Sequence, residues 1–146
     1  MITYLGMALA APAIVAAIGK AEAERKRAPT ITFEIPIRTV SGMNAREHWR
    51  KRAKRVASER GATWKAIRNC GEPLPKLPVI VTLTRIGPTN GLDPFDNLPS
   101  SLKGCVDEIA SWLGVDDRKD DRVKYECRQM RGPKWLVRVE IREATC

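Results

Sequence analysis

The chain has 146 residues, room for one globular domain and not for an obvious two-domain enzyme. Its 26 Lys and Arg against 17 Asp and Glu give a net charge of +9, and 43% of residues are apolar, enough to build a core and to exclude wholesale disorder. A surplus of this size points to a polyanionic partner, with a basic protein merely kept soluble by its charge as the competing reading. The cysteines (Cys70, Cys105, Cys127 and Cys146) are scattered with no C-x-x-C pair, so neither a zinc site nor a disulfide scaffold is expected. His48 is the one histidine. Any hydrolytic chemistry must therefore run on carboxylates, lysine or metal-activated water.

Residues 1–30 read as an apolar and basic extension outside the fold. Met1 to Gly19 carries no charge, and Lys20, Arg25, Lys26 and Arg27 follow. The run is marginal in length and hydrophobicity for a membrane span and lacks the basic start of an export signal. A dispensable helix is the expectation, an anchor or export signal the alternative. From Ile31 to Arg38 apolar and polar residues alternate, predicting a half-buried strand, and Pro36 puts it at an edge or interrupts it. A long helix follows Ser41-Gly42-Met43, with Asn44 and Glu47 at capping-box spacing. Trp49, Ala53, Val56, Ala57, Trp64 and Ile67 form its apolar stripe, and Gly61 marks a kink or an early end.

Gly71 to Pro78 is a proline-rich connector, and Val79 to Ile86 is a β-branched strand. A second helix starts near Asp96 or Asn97, tolerates Pro99 in its first turn and stops at Gly114. Its core face is Leu98, Leu102, Val106, Ile109 and Leu113. Val123 to Met130 and Trp135 to Arg142 are two strands around Arg131-Gly-Pro-Lys134, read as a C-terminal hairpin. The expectation is a single α/β (α+β) domain over 31–146, with a mixed sheet and the order β-α-β-α-β-β.

Charge is unevenly placed along this order. Arg46 to Arg68 holds nine basic residues against Glu47 and Glu59, a net of +7. Beside an apolar stripe they make a basic helix face suited to phosphates, or a merely solvated one. The candidate DNA contacts are Arg46, Arg50, Lys51, Lys54 and Arg55. Gly91 to Asp121 is the reverse, with eight of the 17 acidic residues and a net of −5. An acidic cluster repels the polyanion that the rest attracts. A hard divalent cation reconciles the two, because Mg²⁺ binds through one or two carboxylates and bridges to phosphate. Ordinary capping and loop aspartates are the plainer alternative. Asp93 and Asp96 precede the second helix and Asp116 and Asp117 follow it, about 25 Å away at about 1.5 Å per residue. A shared site therefore needs a break near Gly104 or Gly114, a return of the Asp116 loop, or a second subunit.

Asp93-Pro-Phe-Asp96-Asn97-Leu98, then Lys103-Gly-Cys-Val-Asp107, then Leu113-Gly-Val-Asp116-Asp117, resembles the RusA family of Holliday junction resolvases, common in prophages. Ser41-Gly-Met-Asn44-Ala-Arg-Glu47-His48-Trp49 is similar to the upstream part of a phage branch of that family. The likeness covers about residues 31–142. It implies a cytoplasmic, homodimeric, Mg²⁺-dependent endonuclease, with Mn²⁺ as a substitute, that makes paired nicks in branched DNA and has no membrane partner. The family's carboxylates carry over to Asp93, Asp96 and Asp117 as catalytic metal ligands, with Asp116 beside them, and its lysine to Lys103. Asn97 and Asp107 match supporting positions of the motif. Two departures stand out: Pro94 and Phe95 separate Asp93 from Asp96 where the family has one residue, and Lys103 lies further from Asp96 than in the shorter family version. A non-catalytic nucleic-acid-binding protein on the same scaffold is the alternative.

Overall fold

In the computed structural model the elements run β1 (Ile31–Ile35), α1 (Trp49–Cys70), β2 (Val79–Gly87), α2 (Asn97–Leu113), β3 (Val123–Arg131) and β4 (Leu136–Glu143). This is the predicted α+β order. The structure describes residues 31–42, 46–116 and 120–144. Residues 1–30, Asn44 and Asp117, on which three expectations fall, lie outside the described residues.

β1 buries Ile31, Phe33 and Ile35 and exposes Thr32 and Glu34. It ends before Pro36 and lies at the sheet edge, antiparallel to β4 with Ile31 opposite Ile141. The sheet is mixed, in the order β1-β4-β2-β3. β2 runs parallel to β3, with Val79 opposite Val123, and antiparallel to β4, with Val79 opposite Glu143. β3 and β4 are thus not the expected hairpin, because β2 lies between them. The α2 crossover returns the chain parallel beside β2. The segment leaving β3 must then pass the end of β2 to reach its other side. Gly132 makes that passage, its N–H donating to the Gly87 carbonyl at 3.0 Å. A Cβ at Gly132 would come within 2.5 Å of Ile86 Cγ2.

One sheet face, including Val79, Val81 and Leu83 of β2 and Val137, Val139 and Ile141 of β4, packs with both helices into the core. α2 contributes the predicted stripe: Leu98, Leu102, Ile109 and Leu113 are buried with Cys105, and Val106 is half-buried. Pro99 sits in its first turn, where an N–H has no intrahelical acceptor. Gly114, at φ 71°, closes it. Across the opposite sheet face run charged side chains, with Arg138 paired to Glu34 at 3.2 Å and Arg128 to Glu126 at 3.1 Å.

α1 departs from expectation in three ways. It begins at Trp49 rather than at Asn44, with the His48 ring nitrogen Nδ1 accepting from the Arg50 N–H at 3.3 Å as its cap. Glu47 is therefore not an N3 residue, and its carboxylate pairs with Arg55 instead. The helix continues without a break through Gly61 to Gly71, whose φ of 67° ends it. Most consequentially, the buried face is Glu59, Thr63, Ala66 and Ile67, whereas Trp49 and Trp64 are 67% and 47% exposed. The contact with α2 selects this face. α2 presents Gly104 there, and a Cβ on Gly104 would come within 2.7 Å of Glu59 Oε2. No helix among the described residues is long and apolar enough to cross a membrane.

Candidate active site

The loop from Gly87 to Asp96 leaves the carboxyl end of β2 and delivers the chain to α2. Gln129 on β3 anchors it twice, its Oε1 accepting from the Leu92 N–H at 2.8 Å and its Nε2 donating to the Leu92 carbonyl at 2.7 Å. Asp93 then folds the turn into α2. Its carboxylate accepts from the Asp96 N–H at 3.1 Å and the Phe95 N–H at 3.5 Å, and its carbonyl accepts from the Leu98 N–H at 2.9 Å. Asp96 occupies the N-cap position with no side-chain cap bond. The two carboxylates are exposed and share one turn, so Asp93 and Asp96 stay together although Pro94 and Phe95 separate them in sequence. Ser41 Oγ donates to Asn97 Oδ1 at 2.8 Å. That bond joins the upstream motif to the second one across 56 residues.

Further along α2 the arrangement changes. Asp96, Ser100, Lys103 and Asp107 recur at steps of four, three and four, one edge of a helix. Lys103 Nζ pairs with Asp107 Oδ1, one turn beyond and away from Asp96. Lys103 and Asp107 line a cavity of about 390 Å³ whose α1 wall includes Arg52, Arg55 and Glu59. Here Glu59 is 5% exposed and bonded to Arg55 Nη1 at 3.1 Å. Burial pushes its carboxyl above the ordinary glutamate value, against the pull of Arg55. Arg55 also donates to Glu47 at 3.1 Å and to the Val40 carbonyl at 3.4 Å. Burial alone would lower its pKa, but the bonds to Glu47 and Glu59 raise it. Arg55 is therefore a structural cation held between two carboxylates. Arg46, Arg50, Lys51 and Lys54 are exposed as predicted.

Several of the eight acidic residues have local partners. Asp107 pairs with Lys103, Glu108 with Arg60 at 3.0 Å, and Asp120 with Arg122 at 2.6 Å. The Arg122 guanidinium and N–H hold the Asp120 carboxyl at about 2. Asp116 is exposed beyond Gly114. α2 is unbroken from Asn97 to Leu113, so neither Gly104 nor Gly114 folds it back. Within one chain Asp93 and Asp96 meet each other, and Asp116 stands at the far end of the helix, about 25 Å along its axis. Among the described residues no group of three or more His, Cys, Asp or Glu is placed to hold a metal ion. Burial pushes the Cys105 thiol up to about 11 and raises Cys127, which disfavours thiolate chemistry at these two positions.

Sequence patterning anticipated the basic face of α1 but missed that Trp49 and Trp64 stand exposed on this helix. Arg50 lies 5.1 Å from the Trp49 ring centroid and Arg68 4.8 Å from that of Trp64. The signal was present: Ala57 and Gly61 are small, and Arg50, Lys54, Gly61, Lys65 and Arg68 share a helix face, which is exposed.

No family model and no solved structure matches the chain. It is 34% identical over 98 residues to an uncharacterized protein of Xylella fastidiosa, a match covering 64% of this chain and 63% of that protein. The match therefore spans less than two thirds of that relative's length.

Proposed function

We propose that this chain is a cytoplasmic, divalent-metal-dependent DNA endonuclease that recognises branched DNA by shape and nicks four-way junctions as a homodimer, as its resemblance to the RusA family implies. The observation that carries the reading is the turn at the start of α2. There Asp93 and Asp96 expose two carboxylates at the carboxyl end of a parallel strand, in a loop held rigid by Gln129. Two hard oxygen donors on one turn suit Mg²⁺ or Mn²⁺, which would be held by Asp93 and Asp96 and would supply charge stabilisation and an activated water for phosphodiester hydrolysis. The chain's own residues do the rest. Gln129 fixes the loop, Asn97 and Ser41 tie it to the segment leading into α1, and the exposed Arg50, Lys51 and Lys54 hold backbone phosphates without reading bases.

A synthetic four-way junction tested beside linear duplex, with and without Mg²⁺, examines this reading. Symmetrical nicks in the junction, dependent on the metal and absent from the duplex, are expected. Junction binding without any cutting in Mg²⁺ or Mn²⁺ would retire the enzyme in favour of a non-catalytic nucleic-acid-binding protein. One observation favours that second reading: the Asp93 carboxylate already serves as the turn acceptor for two backbone N–H groups.

A further inference from the structure

Arg85, near the carboxyl end of β2, is a buried positive charge. It is 7% exposed. Its Nε donates to Thr39 Oγ1 at 3.1 Å, one Nη donates to the Thr39 carbonyl at 3.0 Å, and its guanidinium lies 4.6 Å from the Trp135 ring centroid. Among the described residues no carboxylate pairs with it. The neighbouring charge is another cation, Arg38, 4.7 Å from the same indole. Burial first, and Arg38 second, lower the Arg85 pKa. An unpaired guanidinium out of water is costly, and this chain pairs its buried Glu59 with Arg55. Structural need alone does not account for Arg85.

Arg85 lines a cavity of about 260 Å³ at the ends of β2 and β3, where a third cation, Arg131, and Thr89 also line the space. None of its lining residues is acidic. The walls are fixed before any ligand arrives. Gln129 is bonded at both ends of its amide to Leu92. The Trp135 ring lies so close over Gly87 that a Cβ there would meet it at 2.1 Å, and a Cβ at Gly91 would meet Gln129 at 2.5 Å. At about 30 Å³ per water the cavity has ample room for one tetrahedral phosphate group. Guanidinium forks match the oxygens of such a group.

We infer that this cavity is a phosphate subsite for a nucleic-acid strand, with Arg85 and Arg131 as its cations. The inference rests on the nucleic-acid reading above for the source of the phosphate. Asp93 follows Gly91 by two residues, at most about 7 Å of chain. The strand therefore enters this cavity next to the Asp93 and Asp96 turn. The subsite secures a phosphate beside the one to be cut.

The test is DNA binding in EDTA, which does not depend on cleavage. Full-length Arg131→Gln, at an exposed position, is expected to bind a four-way junction about three- to tenfold more weakly, with the log–log salt slope shallower by about 1. Arg85→Lys, which keeps the charge and loses the fork, is expected to weaken binding with the slope retained. Wild-type affinity and slope in Arg131→Gln and in a folded Arg85→Lys would overturn the inference and leave the endonuclease reading untouched. A protein that binds but never cuts, and still shows these losses, would retain the subsite and retire the nuclease. In the third arm, inorganic phosphate is titrated while the Arg85 Nε–H resonance is followed. A shift reproduced by inorganic phosphate and not by DNA would assign the cavity to free phosphate and overturn the backbone source.

Discussion

At the residue scale, the chain distinguishes carboxylates that hold structure from carboxylates left open. Glu59 belongs to the first kind: it is buried against Gly104 and bonded to Arg55. Removing the cation strands a charge in the interior, so Arg55→Met is expected to cost about 3 kcal/mol in urea denaturation. The raised Glu59 pKa also has a pH signature. The folded protein keeps a proton there that the unfolded chain releases at the ordinary glutamate value. The contribution of this group is therefore full at acid pH, and it is lost as pH rises through the folded value. Asp120, held at about 2, acts in the opposite sense: its contribution is present above the ordinary aspartate value and lost as pH falls toward about 2. Melting temperatures of Glu59→Gln are accordingly expected to show less decline above the ordinary glutamate value and an unchanged acid limb. None of this was legible in the sequence, where Glu59 is one charge in a basic helix. A carboxylate facing a glycine on another helix is a tertiary pairing, which no one-dimensional pattern contains. Asp93 and Asp96 were legible, because turn and cap chemistry is local.

At the element scale, the two helices show what periodicity can and cannot reveal. α2 is amphipathic in the ordinary way, and its stripe, proline and terminal glycine were all readable. α1 hides its buried face because two of the four buried residues are polar. Thr63 Oγ1 donates to the Glu59 carbonyl at 2.8 Å, and Glu59 has Arg55. Its tryptophans instead stand outside with arginines beside them. Two glycines give a matched test. Gly104→Ala is expected to destabilise by about 1–2 kcal/mol, because the methyl would meet a Glu59 carboxylate already bound by Arg55. Gly61→Ala, with nothing within 4 Å of its added methyl, is expected to stabilise by up to about 1 kcal/mol. Thermal denaturation measures both. On the exposed face of α1, Arg50→Gln with Lys54→Gln is expected to flatten the salt slope of DNA binding by about 2, at roughly 0.9 per phosphate contact. An unchanged slope would leave that face as solvated charge.

At the scale of the whole molecule, the order of elements was readable and the strand neighbours were not. β3 and β4 look like a hairpin in sequence because four turn-forming residues join them. The α2 crossover instead puts β2 between them. The same helix separates Asp93 and Asp96 from Asp116, so in the proposed homodimer a metal site using both groups draws on two copies of the chain. Mixing Asp96→Asn with Asp117→Asn is then expected to restore nicking, since one of the two sites in the mixed dimer has all its carboxylates. A site contained in one chain would remain dead in the mixture, and cleavage after subunit exchange reads the difference. The division of charge, net −5 over residues 91–121 within a chain of +9, is the molecular form of the central claim that an acidic turn acts on DNA held by a basic scaffold. Paired cleavage and binding by Asp96→Asn, measured on one labelled four-way junction, tests it most directly. The account predicts that nicking in Mg²⁺ falls roughly a hundredfold or more while affinity in EDTA is kept or improves. Cleavage at the wild-type rate, or loss of binding in step with cleavage, would contradict it.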